Sequence, residues 1–277
     1  EESFIKRIHS FFEGAKFLTR KNGSLEEAFP NEGSYCVTAL VAFDFLVTID
    51  LLSDRINDSK RDEFVEIIRP FINFLIKSDE SHAIISNHLA TAVAALVRWD
   101  NLVSDSNALA KAKALLERML VNQSEEGWFK EYEGADPGYQ TLCLHYLSDV
   151  HLQRKEMNLL EPISKSIRFL LYFAHPDGSF GGYYGSRCTR FYYPSGVLAM
   201  AKEIPEAAVL ARYMQNSTAE KSVVGLSCMD DPNLSAMFNS YVWAANLTEQ
   251  QNQSSVKINT QTLPCERREP FSKNFKD

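Results

Sequence analysis

The 277-residue sequence predicts an all-α fold, an incomplete toroid built from five or six repeated helical hairpins. Three observations point there. Apolar residues recur at helical spacing in one segment after another. Turn signals at Asn22, Asp79, Glu126 and Asp177 recur about every fifty residues, the length of one helical hairpin with its loops. Within each hairpin the second helix is the more apolar, which suits an inner circle of helices with the amphipathic first helices around it.

The elements follow in order. Phe4–Leu18 carries Phe4, Ile8, Phe11, Ala15 and Leu18 on one stripe and stops at Asn22-Gly23-Ser24. Ser34–Leu52 is a second, more apolar helix. Phe64–Ile76 is amphipathic, and Asn87–Leu102 contains a run, Leu89 to Leu96, that is apolar nearly all round. Ala108–Val121 leads through Glu126-Gly127-Trp128-Phe129 to a helix over Gly138–Leu152. Leu159–Phe173 leads through Pro176-Asp177-Gly178-Ser179-Phe180-Gly181-Gly182 to Tyr192–Lys202. Glu206–Met214 and Asn233–Leu247 make the fifth pair. The helical domain is thus expected over residues 1–248. Residues 249–277 read as a polar tail with a short strand-like stretch, Val256–Thr260.

Composition narrows the partners. The net charge is −7 and the longest basic run is the pair Arg267-Arg268, so phosphate-driven binding of nucleic acid is not expected. No apolar stretch approaches the roughly 20 residues that cross a bilayer, so no membrane span is expected. The five cysteines lack CxxC or Cys/His spacing, which favours reduced thiols and a cytoplasmic location. The first residue is not Met, and a removed leader would allow a periplasmic or secreted protein. Asn-x-Ser/Thr triplets, among them Asn22, Asn57, Asn122, Asn216, Asn246 and Asn252, matter only in a secretory setting. No cofactor or metal signature is present.

Superposing the repeats brings together the starts of the second helices: Ser34-Tyr35, Asn87-His88, Gly138-Tyr139 and Tyr192-Tyr193. Exposed N–H groups and positive helix ends gathered there favour an anionic ligand. Asn87 is either a helix cap or a ligand-binding amide, and His88 either packs or takes part in chemistry. Arg187 and Arg190 lie beside Phe191, Tyr192 and Tyr193, a set able to clamp a carboxylate and stack on a sugar, or to tie the loop to Glu131 or Glu133. Trp128 and Tyr183, with Phe129, Tyr132, Phe180 and Tyr184, could form a sugar-binding wall.

Asn87-His88 at the start of an apolar helix, Gly127-Trp128-Phe129 with Tyr139 at the start of the next, and Asp177-Gly178-Ser179 with Gly185-Ser186-Arg187 form a pattern. Over roughly residues 60–200 it resembles the α/α toroid domain of heparinase II/III-type and alginate lyases. The resemblance implies that Asn87 and Arg187 bind a uronate carboxylate, that His88 is a neutraliser or base, and that Tyr139 is the acid/base, in a β-elimination on an acidic oligo- or polysaccharide. A proton beside a carboxylate is acidic enough to remove only when the developing enolate charge is stabilised. Two other readings stay open: a non-catalytic toroid that binds glycan or a protein partner, and a glycoside hydrolase using carboxylates of the Glu131, Glu133 and Asp136 loop.

Overall fold

A computed structural model of the chain describes residues 2–183 and 185–252. Ten α-helices occur among them, with no strands: α1 (Glu2–Leu18), α2 (Tyr35–Leu51), α3 (Asp58–Lys77), α4 (Ser86–Val103), α5 (Ser106–Val121), α6 (Pro137–Gln153), α7 (Leu160–Leu170), α8 (Pro194–Ala199), α9 (Pro205–Ala219) and α10 (Asp231–Asn252). They form the five successive hairpins that the periodicity predicts. α10 takes in residues 249–252, expected as the start of the polar tail; the rest, with the expected strand at Val256–Thr260, lies outside the described residues.

Where helix ends differ from the expectation, local chemistry explains the shift. α3 begins six residues early because Asn57 caps it, its side chain accepting from the Lys60 N–H at 2.9 Å. The first turn is charged and shows no apolar period. α8 begins at Pro194, not Tyr192, since proline suits the first helical position and keeps the residue before it extended, with Tyr193 at φ −111°. α9 runs five residues beyond Met214 because the polar Ser217 and Thr218 are turned inward to the Tyr192 hydroxyl, at 2.9 and 2.8 Å.

The chain divides into two compact units. One runs to Ala83 and takes in His88–Glu117; the other is made of Ile84–Asn87 and the chain from Arg118 onward. In the first, Phe12 of α1 is buried between Phe45 of α2 and Phe64 of α3, stacked on both at 4.0 and 3.9 Å. The Leu89–Val97 run of α4 is buried except at no position, as its all-round apolar sequence predicts.

In the second unit α6 is buried at every residue from Pro137 to His151. A helix so enclosed must satisfy its own polar side chains. His145 does so through Ser195 of α8 at 2.6 Å, which meets Ser240 of α10 at 2.8 Å. Gly196 lets α8 approach α6 closely, since a Cβ there would lie 2.4 Å from the Leu144 carbonyl. α10 buries one stripe, Ala236, Met237, Ser240 and Ala244, and leaves Leu234, Phe238 and Val242 partly exposed.

Candidate functional site

The second unit carries a cluster built around the start of α6. Asp136 caps that helix, accepting from the Tyr139 N–H at 3.0 Å. Its carboxylate also accepts the Arg187 N–H at 3.0 Å and the Thr189 hydroxyl. One buried acid therefore ties the 185–190 loop to the helix bearing Tyr139. Two glycines allow the approach. Gly138 faces Thr189, whose hydroxyl would lie 2.4 Å from a Cβ, and Gly185 adopts φ +88° against the Ala135 carbonyl.

This scaffold lays Arg187 on Tyr139. The guanidinium carbon sits 3.9 Å from the ring centroid, and Nη2 donates to the Tyr139 hydroxyl at 3.1 Å. Tyr132, 40% exposed, lies 5.5 Å away under the same cation. The Tyr139 hydroxyl donates in turn to Asn233 Oδ1 at 3.2 Å, an acceptor shared with Tyr193 at 3.4 Å. Phe191 stands edge-on to both Tyr139 and Tyr193, each at 5.7 Å. Among the described residues no carboxylate forms an ion pair with the Arg187 guanidinium, and the side chain is only half-buried. A cation held by ring faces and a phenol, and open to solvent, is suited to take an anion from outside.

Asn87 enters the same unit through the 84–87 segment. That segment pairs with the 130–132 loop: Ser86 N–H and hydroxyl donate to the Lys130 carbonyl, and Tyr132 N–H to that of Ile84. Asn87 presents its backbone N–H and Nδ2 to the two oxygens of Glu131, both at 2.8 Å. Glu131 is fully buried. Burial pushes its carboxyl up to about 8; the Asn87 hydrogen bonds and the Arg187 charge pull against this and are outweighed. At neutral pH it is uncharged and leaves the Arg187 charge uncancelled.

The Tyr139 hydroxyl is also raised, by burial above all, with the Arg187 charge and the Asn233 hydrogen bond opposing. It therefore holds its proton at neutral pH. Cys143, buried nearby, has its thiol pushed well up by burial and by Glu131, and is no nucleophile.

His88 belongs to the first unit. Its Nδ1 lies 2.8 Å from Oε2 of Glu80, a residue of the loop before α4.

Other expected residues lie elsewhere. Tyr192 is fully buried, and its hydroxyl is spent on Met214 O, Ser217 and Thr218, so packing of α9 replaces the substrate-binding role. Trp128 is likewise buried, with Nε1 donating to Glu126 at 3.2 Å, and serves as a loop anchor. Arg190 and Tyr183 are exposed and pair with each other, guanidinium to ring at 5.2 Å. The carboxylates needed for hydrolysis are engaged otherwise: Glu131 with Asn87, Asp136 as cap and loop tie, and Glu133, exposed, with Lys130 at 3.3 Å.

Sequence reading missed Glu80 and Asn233. Glu131 was visible in the loop, but its bond to Asn87 joins residues 44 positions apart and no local pattern marks it.

No protein-family model matches the sequence, and no curated protein matches it. Among solved structures the chain is similar to one described as a polysaccharide lyase, with a TM-score of 0.61 at 10% identity over 93% of this chain and 87% of that one. It is also similar to a family 88 glycosyl hydrolase from Bacteroides vulgatus, with a TM-score of 0.53 at 10% identity over 98% and 79%. A cellobiose 2-epimerase from Bacillus thermoamylovorans gives 0.52 at 12% identity over 93% and 74%. The fold is an incomplete α/α toroid of helical hairpins. Likeness at this identity extends to the fold and does not single out the heparinase type.

Proposed function

We propose that the protein is a carbohydrate-active enzyme, a lyase that cleaves a uronate-containing polysaccharide by β-elimination at the Arg187–Tyr139 cluster. The observation that carries this reading is the Arg187 guanidinium, stacked on Tyr139 and bonded to its hydroxyl with no acid partner among the described residues. A uronate carboxylate would supply the missing partner in a bidentate pair. The cation would then offset the charge that develops on that carboxylate as the C5 proton leaves.

In this reading a base accepts the C5 proton. The electrons of the C–H bond form the C4–C5 double bond, the C4–O bond breaks, and Tyr139 gives its proton to the departing glycosidic oxygen. No water is consumed and no cofactor is required. Tyr132 and Phe191 are the rings beside Arg187 and Tyr139 that reach solvent. The solved lyase of similar fold supports the assignment, since the match spans most of both chains.

The test is a panel of uronic-acid polymers, each offered in native form and after reduction of its carboxyl groups to alcohols. The expected result is an ultraviolet-absorbing unsaturated product from a native polymer and none from its reduced form. Equal cleavage of both forms would remove Arg187 from substrate recognition. Binding without cleavage would favour a glycan-binding module.

A further inference from the structure

We propose that Glu80 is a positioning residue that fixes His88 with its proton on Nδ1 and so leaves the Nε2 lone pair free as a proton acceptor. The tautomer does not rest on the lyase reading.

The geometry is confined to the first unit. Glu80 lies in the loop between α3 and α4, its side chain only 3% exposed, while that of His88 is 17% exposed. One carboxylate oxygen faces His88 Nδ1 at 2.8 Å. The other accepts the His82 N–H at 3.1 Å and meets His82 Nδ1 at 2.9 Å. The carboxylate is thus gripped on both sides and cannot turn away from the imidazole. Burial pushes its carboxyl up, but the hydrogen bonds from His88 and His82 outweigh burial and hold it at about 2, so it is ionised.

An ionised carboxylate only accepts hydrogen bonds, so the imidazole nitrogen that faces it must carry the proton. A neutral imidazole carries one N–H, and Nε2 is then bare. The same logic, a buried acid choosing the tautomer of a histidine base, operates in serine-protease triads. His82 also meets the carboxylate but is 86% exposed, so it closes the far side of Glu80 and is not itself held.

The experiment is long-range proton–nitrogen correlation NMR on 15N-labelled protein, at a pH where the imidazoles are neutral, with His88 assigned from the signal lost in His88→Gln. The expected wild-type spectrum has His88 Nδ1 protonated and Nε2 unprotonated. In Glu80→Gln, whose amide can donate as well as accept, the Nε2–H form should grow, while Glu80→Asp, which keeps the acceptor, should hold the wild-type tautomer. A wild-type His88 protonated on Nε2 overturns the proposal, and so does a tautomer unmoved in Glu80→Gln. If that variant fails to fold, the wild-type spectrum alone decides. The expected tautomer together with no cleavage of any polymer would sink the lyase reading and leave this one standing.

Discussion

Replacing Glu131 with glutamine should alter stability in a way that depends on pH. Glu131 is fully buried and its carboxyl is pushed up to about 8, so the folded protein keeps a proton that the unfolded chain loses above about 4.5. For an acid shifted upward the sign is fixed. Wild-type stability carries no penalty from this group below the unfolded value, falls as pH rises through the window, and levels off above the folded value. Each pH unit costs up to about 1.4 kcal/mol, so the whole window is worth on the order of 5 kcal/mol. Glutamine removes the dependence. It also keeps the heavy-atom contacts: a neutral group donates from one position, and the Asn87 amide turns so that Oδ1 accepts at the same 2.8 Å separation.

The assay is urea unfolding of wild type and Glu131→Gln at a series of pH values, read as the difference between them. Other titrating groups largely cancel in that difference. The variant should match wild type near pH 4.5 and become progressively the more stable toward pH 8. A variant less stable by about 2 kcal/mol or more at pH 6 would mean that Glu131 is ionised and paired with Arg187. The Arg187 charge would then be already spent, and the argument for an anion site would fail.

Three further outcomes are expected. Arg187→Ala removes the donor to the Tyr139 hydroxyl and the partner for a carboxylate, so product formation should fall at least about a hundredfold while circular dichroism shows an intact fold; Arg187→Lys should recover little, because an ammonium cannot stack flat on the ring. Tyr192→Phe leaves the Met214 carbonyl and two hydroxyls short of a partner and should cost about 1–2 kcal/mol in thermal or urea unfolding, with turnover unchanged. Gly185→Ala forces a Cβ onto a residue at φ +88° and to 2.8 Å from the Ala135 carbonyl. It should cost about 1–3 kcal/mol and shift Arg187, with turnover falling more steeply than that loss of stability alone would explain.

Much of the fold was legible because helical hairpins write themselves locally. The run Leu89 to Leu96 could only be a buried helix, and the fifty-residue recurrence of turn signals marked the first four hairpins. The missed ends have separate causes: an inward-turned polar pair in α9, a local cap in α3 and a proline in α8. Ser217 and Thr218 look like a stop until Tyr192 meets them. The Asp58–Asp62 stretch looks like loop until the Asn57 cap is recognised.

The candidate site was legible in part. Asn87 and Tyr139 stood out at equivalent places in the repeats and Arg187 in the loop before Tyr192, and Arg187 does contact Tyr139. What holds them was not legible. Glu131, Asp136, Asn233 and Glu80 act through contacts that the fold makes, and most of these span dozens of positions; Asn233 meets Tyr139 from 94 positions away. Aromatic residues misled for a related reason. Burial decides whether a tyrosine or tryptophan serves a ligand or the core, and Trp128 and Tyr192 both went to the core.

The most direct test of elimination at Tyr139 is mass spectrometry of the oligosaccharides released from a cleaved uronate polymer by wild type and by Tyr139→Phe. Elimination adds no water, so wild type should release chains with an unsaturated end that are lighter by one water than hydrolysis products, and Tyr139→Phe should release almost none. Products that carry the added water, or equal release by the two proteins, would contradict the account.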